Sequence, residues 1–141
     1  MNDDYLAGFV DGEGCLTLTY LADRHAYRAY VSVSNTDETI IRKIRDYLNC
    51  GHVVRLPRHG NHRDAWQWTL MSKKHIVPLL ERLIPKLYVK KQQAMLVMEF
   101  FRSSTPQGHH LTGDERAVKT ALLTTMRALN QRGQSSRHSN V

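Results

Sequence analysis

The sequence predicts an α+β fold, in which one four-stranded antiparallel sheet is covered by helices on a single face, in the order αββαββα with further helices behind. Three observations carry this. Four short stretches alternate between apolar and polar residues and pair off into two hairpins, Cys15–Tyr20 with Ala26–Asn35 and Val53–Leu56 with Ala65–Met71. Apolar residues recur at helical spacing in the segments before, between and after them. Each strand offers one apolar face only, so the sheet can be covered on one side and stays open on the other.

The first element is a short helix over Tyr5–Gly14, with Leu6, Phe9 and Val10 at helical spacing. Asn2 or Asp3 can cap it, and Asp3 and Asp4 suit the positive end of its dipole. Gly8 and Gly12 sit four apart on one face. Each costs roughly 1 kcal/mol against alanine, a cost that close approach of a second helix would offset. Gly12 and Gly14 are expected to break the helix and leave Glu13 at its foot.

In the first hairpin Leu16, Leu18 and Tyr20 share a face with Tyr27, Ala29, Val31 and Val33. The other face carries Thr17, Thr19, Arg28, Tyr30, Ser32 and Ser34, groups that bond to base edges and phosphates. Arg24 belongs to the turn. Asn35-Thr36-Asp37 offers capping chemistry for a helix with Ile40, Ile41, Ile44, Tyr47 and Leu48 on one side, which runs to about Cys50 and is stopped by Gly51. In the second hairpin Trp66, Trp68 and Leu70 are expected to face the core and Ala65, Gln67 and Thr69 to lie opposite. Arg55, on its first strand, and Arg58, His59, His62 and Arg63, in its joining loop, make a basic probe suited to a phosphate backbone.

Ser72 is a plausible cap for a helix striped by Ile76, Leu79, Leu80, Leu83 and Ile84, with Pro78 near its first turn and Pro85 at its end. Val89 or Lys90 opens the next, in which Ala94, Val97, Met98 and Phe101 are apolar. Ser103–His110 reads as a linker. Thr112-Gly113-Asp114-Glu115 matches a capping box before a last amphipathic helix, Ala117–Asn130. Residues 1–131 therefore form one domain, and 132–141 a flexible basic tail without hydrophobic anchors.

The 141 residues hold 20 Lys and Arg against 13 Asp and Glu, a net charge of +7 and a pI near 9.7. That surplus favours a polyanionic partner, nucleic acid before an anionic membrane. Cys15 and Cys50 have no metal-ligand spacing and suit a reducing compartment. No apolar run reaches the roughly 18 residues of a membrane span, and no secretory or transit signal is visible. The expected setting is intracellular, not secreted: a prokaryotic cytoplasm or an organelle.

Leu6-Ala7-Gly8-Phe9-Val10-Asp11-Gly12-Glu13-Gly14 resembles the signature of the LAGLIDADG homing endonucleases. Val33-Ser34-Asn35-Thr36-Asp37 is similar to the end of that family's second strand, and Pro85–Ala94 to the segment carrying its basic active-site residue. Ala128-Leu129-Asn130 with Arg132-Gly133 is similar to a common ending of its last helix. The resemblance implies a homing-endonuclease-like half-saddle that pairs as a homodimer on double-stranded DNA, with a long pseudo-palindromic target. It implies signature helices that pair through Leu6, Gly8, Phe9 and Gly12, and one metal-binding acid from each chain.

That acid is Glu13, where the family more often has Asp, with the Gly12 carbonyl as a further ligand to Mg²⁺ or another divalent cation. Lys90 matches the lysine near the scissile phosphate, and Asn35 the polar residue near the attacking water; Asp11 takes the earlier, non-ligand acidic position and is expected to serve the helix end. Relatives also include intron-encoded RNA maturases, so an RNA intron is a second possible partner, and a DNA-binding regulator that has lost cleavage is a third reading. Glu13 together with Lys90 favours the nuclease.

Overall fold

The structure is a computed structural model that describes residues 1–103 and 111–139. Helix α1 (Asp3–Glu13) leads directly into strands β1 (Gly14–Leu21) and β2 (Ala26–Asn35). Helix α2 (Glu38–Leu48) connects them to β3 (His52–Leu56) and β4 (Ala65–Leu70). Helix α3 (Lys73–Leu83), a 3-10 turn (Ile84–Lys86), α4 (Lys91–Arg102) and α5 (Gly113–Ser139) follow. The strands form one antiparallel sheet in the order β1-β2-β4-β3.

Register decides which side chains share a face. Leu16 pairs with Val31, which pairs with Leu70; Val33 pairs with Trp68, which pairs with Val53. All but the partly buried Val53 are 2% exposed or less, and they meet Leu6, Val10, Ile41, Ile44, Ile76, Leu80, Leu83 and Val97 in one core. The helices therefore cover one face, as the alternation predicts. Tyr20 keeps the core parity but lies at the strand end, exposed and tilted against Tyr27 at 4.9 Å. Ala65 departs from expectation. It has the parity opposite to the tryptophans yet is buried, because a methyl group directly across from Leu56 is short enough for its neighbour to cover.

Local chemistry explains the element ends. The Asn2 side chain accepts from the Tyr5 N–H at 2.9 Å and caps α1. The helix continues through Gly12, contrary to expectation, and Gly14 alone ends it. A Cβ on Gly14 would lie 2.6 Å from the Val10 carbonyl oxygen, so only glycine lets β1 start hard against the last helical turn. Helix α2 is capped by Asp37, which accepts from Thr39 N–H at 2.9 Å, and it ends on Asn49 in the left-handed region (φ 54°) rather than at Gly51. Gly51 (φ 90°) is needed because the Trp68 indole lies against it and donates to the Cys50 carbonyl at 2.8 Å.

Pro78 sits inside α3, past the first turn where it was expected, and Ser72 precedes that helix without a side-chain capping bond. The capping box at α5 forms as expected. Thr112 Oγ1 accepts from Glu115 N–H at 3.2 Å, and Glu115 Oε2 accepts from Thr112 N–H at 3.3 Å. Helix α5 then passes Asn130 and runs to Ser139, so the expected flexible tail, 132–141, is helical over most of its length. The expected linker lies outside the described residues beyond Ser103. Asn130 Nδ2 donates to the Leu16 carbonyl at 3.2 Å and Tyr27 bonds Thr120 at 2.9 Å, which ties α5 to the first hairpin.

At the start of α1, Arg82 donates to Asp3 at 2.6 and 3.1 Å, the Tyr47 hydroxyl donates to the same carboxylate at 2.7 Å, and Lys86 pairs with Asp4 at 2.6 Å. The Arg82 and Tyr47 bonds hold the Asp3 carboxyl down to about 2. A carboxyl depressed on folding adds stability above its unfolded value and loses it as pH falls through the folded one. Asp3→Asn should therefore lower stability at pH 7 by about 1 kcal/mol, after discounting for partners that remain half in water. The gap between variant and parent in urea melts should close as pH falls from about 4 to about 2; a gap constant across that window would remove Asp3 from this role.

Candidate active site and nucleic-acid interface

The α1–β1 junction gathers the chemistry. Glu13 is exposed at the last position of α1 and makes no hydrogen bond or ion pair among the described residues. A helix C-terminus carries partial negative charge, so an acid there is disfavoured unless a cation is close. Lys90 brings positive charge to the same helix end: its Nζ donates to the carbonyls of Val10 at 3.2 Å and Asp11 at 3.0 Å, in the last turn of α1. The register that pairs Gly14 with Val33 brings Asn35, two residues farther along β2, to the same end of the sheet. The structure thus assembles Glu13, Gly12, Lys90 and Asn35 around one junction.

Two neighbouring side chains make specific bonds here: Asn35 serves the turn before α2, as its capping chemistry suggests, and Asp11 departs from expectation. Asn35 Oδ1 accepts from the Asp37 N–H at 2.8 Å, which leaves the amide nitrogen as the group able to meet a water. Asp11 does not serve its own helix end. Its carboxylate accepts from the backbone N–H groups of Tyr88 at 2.8 Å and of Val89 and Lys90 at 3.0 Å each. A recess of about 300 Å³ beside the junction is lined by Tyr5, Phe9, Asn35, Asp37, Thr39, Ile40 and Lys43. Lys43 brings a second cation that the sequence reading passed over; its signal is the four-residue spacing from Thr39, which stacks the two on one helical face.

The outer face of α1 is open. Neither Gly8 nor Gly12 would bring a Cβ within 4 Å of another described residue outside its own helix backbone. Tyr5, 51% exposed, stacks on Phe9 at 6.2 Å along the same side. Leu6 does not belong to this surface: it is 1% exposed and packs into the chain's own core, because its helical position faces the sheet.

The open face of the sheet reads out in rows. Cys15, Ser32, Thr69 and His52 lie side by side, as do Ser34, Gln67 and Val54; Thr17 pairs with Tyr30 and Thr19 with Arg28. Most are half-buried by neighbouring strands but none lies under a helix. Cys15, His52 and Val54 were not among the expected contact residues, and strand parity with Thr17 and Gln67 is the signal that finds them. Arg55 is a correction. It pairs with Trp66, not Gln67, so its side chain starts from the other face, where Asp64 holds its guanidinium (Nε to Oδ2 2.8 Å). That pairing also lowers the Asp64 pKa. Arg24, Arg58, His59, His62 and Arg63 are exposed in the two hairpin turns at the rim of the sheet.

At the end of α1 itself the exposed carboxylate is that of Glu13. Among the described residues no group of three His, Cys, Asp or Glu side chains could hold a metal ion. The donors present, a carboxylate beside helix-terminal carbonyls, are hard oxygens of the type Mg²⁺ and Ca²⁺ take. Among the described residues no helix is long and apolar enough to cross a membrane.

Comparison with known proteins places the chain in a family and a fold. Residues 6–102 match the family described as LAGLIDADG endonuclease. The DNA endonuclease I-CvuI of Chlorella vulgaris is 30% identical over 105 residues; the match covers 70% of this chain and 62% of that protein, so the chain spans less than two thirds of its relative's length. A crystal structure of I-CvuI with its target in the presence of Ca superposes with a TM-score of 0.73 at 24% identity, covering 90% of this chain and 80% of that one. The homing endonuclease I-TnaI superposes with a TM-score of 0.73 at 17% identity, covering 96% and 97%. An archaeal intron-encoded endonuclease, I-Vdi141I, bound to DNA, gives 0.75 at 17% identity, covering 90% and 82%. These superpositions show a shared fold.

Proposed function

Because this chain belongs to the LAGLIDADG endonuclease family, we propose that it is a divalent-metal-dependent DNA endonuclease that acts as a homodimer on a long pseudo-palindromic site. The observation that carries the reading is the α1–β1 junction, where Glu13, exposed and without a hydrogen bond or ion pair among the described residues, stands just beyond the Val10 and Asp11 carbonyls that hold the Lys90 ammonium. Paired through their open faces, two α1 helices bring two Glu13 carboxylates together, in keeping with an isologous two-fold interface.

Glu13 of each chain, with the Gly12 carbonyl, would hold Mg²⁺ or a similar hard cation. When bound there, such an ion supplies a water acidic enough to attack phosphorus and charge stabilisation for the departing 3′ oxygen. The protein's own groups do the rest. Lys90 stabilises negative charge that develops on the phosphoryl oxygens, from a position fixed before the DNA arrives. The Asn35 amide orients water at the same end of the sheet. Thr17, Thr19, Arg28, Tyr30, Ser32, Ser34, Gln67 and Thr69 read base edges, while Arg24 and the Arg58–Arg63 turn meet phosphates. The reading places the protein in a reducing, intracellular compartment that contains DNA.

A supercoiled plasmid library with randomised inserts, incubated with the protein and Mg²⁺, tests the proposal. Linear product carrying a recoverable common site is expected. Tight DNA binding with no linear product under any metal condition would sink it.

A further inference from the structure

Lys90 is the cap residue of α4, yet its side chain makes no capping bond to that helix. It turns instead to α1, and α1 holds it twice. The Asp11 carboxylate accepts from the Lys90 backbone N–H at 3.0 Å, and the Lys90 ammonium donates to the Asp11 backbone carbonyl at 3.0 Å. The same carboxylate takes the N–H groups of Tyr88 and Val89 at 2.8 and 3.0 Å, so two carboxylate oxygens serve three consecutive amides. Leu87 and Ala94 anchor the ends of this segment in the core, but Tyr88 is 92% exposed and Val89 69%. Packing does not hold the loop between them. Charge-assisted hydrogen bonds to Asp11 do, and bonds of that type are about twice as strong as neutral ones.

We infer that Asp11 is a positioning residue for cleavage: it fixes the loop that carries Lys90, so that the ammonium stands at a set place relative to Glu13. The inference rests on the reading of Lys90 as the group that faces the scissile phosphate. Asp11 and Glu13 are neighbours on one rigid helix turn, which makes the lysine's position a property of α1 rather than of α4. An acid two residues before Glu13 then has its own task, without touching metal or substrate.

Asp11→Ala should slow cleavage of the recovered target at saturating DNA by about 100-fold, the scale of one misplaced charge-stabilising group, with the DNA Kd unchanged within about threefold. In a Lys90→Ala background the same change should cost less than about threefold, since there is no ammonium left to misplace. Asp11→Asn, which keeps an acceptor oxygen for Val89 and Lys90 but loses the charge and sets an N–H donor against the Tyr88 N–H, should recover the rate only in part. Independently of activity, amide exchange at Tyr88, Val89 and Lys90 should be slow in the parent and at least about tenfold faster in Asp11→Ala, with exchange across α1 retained. An equal cost in both backgrounds would overturn the positioning role. Rapid exchange at these amides in the parent would overturn it without reference to cleavage. Full activity of Lys90→Ala would instead refute the role of Lys90 itself and remove the basis for Asp11.

Discussion

Glu13→Gln is expected to lower the cleavage rate of the target by about 10³-fold or more while DNA affinity holds or improves, because the change would remove the charged ligand proposed for the metal and breaks no hydrogen bond or ion pair among the described residues. Glu13 makes no hydrogen bond or ion pair among the described residues, so its replacement by an isosteric amide disturbs no packing. The sign of the binding effect follows from charge. Two carboxylates placed beside DNA phosphates repel them when no cation intervenes, and removing both charges relieves that repulsion. In EDTA the variant should therefore bind target as tightly as the parent or a few-fold more tightly; with Mg²⁺ the two should converge. Filter binding at fixed ionic strength, beside single-turnover cleavage, measures both. Loss of binding in step with cleavage would mean that Glu13 supports docking and not the chemistry.

Gly8→Leu should leave a folded chain that no longer dimerises. Within one protomer a Cβ at Gly8 has no neighbour within 4 Å among the described residues outside its own helix backbone, so the side chain starts into open space, and helix propensity alone favours leucine by somewhat under 1 kcal/mol. Against a second α1 the same side chain stands where two backbones must approach. The expected result is retained helical circular dichroism, a monomer by sedimentation equilibrium where the parent is a dimer, and cleavage reduced by about 100-fold or more at equal concentration. Unfolding of the parent should depend on protein concentration and that of the variant should not. A dimer that survived Gly8→Leu would place the interface elsewhere.

The sheet was legible in the sequence because its period is two. Val31 and Val33 against Ser32 and Ser34 fix the faces of β2 without any knowledge of partners, and both hairpins follow. The α5 capping box was equally plain, being a local exchange of two bonds three residues apart. What escaped depended on register or on distance. Arg55 reads as a nucleic-acid contact by type, but its pairing with Trp66 puts it on the other face, and Asp64 was a partner that only the folded hairpin reveals. Leu6 looked like an interface residue because it lies within the signature, while the helix turns it inward. The run of α5 to Ser139 was hidden because Gln131–Ser139 carries no apolar stripe, and helical periodicity cannot be seen without one. Asp11 lay farthest from reach: its amide partners are 77 to 79 residues away in sequence, and backbone N–H groups leave no mark on side-chain identity.

Helix α1 is fastened at both ends to a single stretch of chain. Asp3 and Asp4 hold Arg82 and Lys86 at one end, and Asp11 holds residues 88–90 at the other. None of these bonds involves a residue of the open sheet face. Substitutions on that face are therefore expected to leave the geometry of the acid and the ammonium undisturbed. In evolutionary terms the layout is modular: if the proposed function holds, the lineage could drift toward new target sequences, or a designer could retarget it, one strand residue at a time, without rebuilding the junction that carries Glu13 and Lys90.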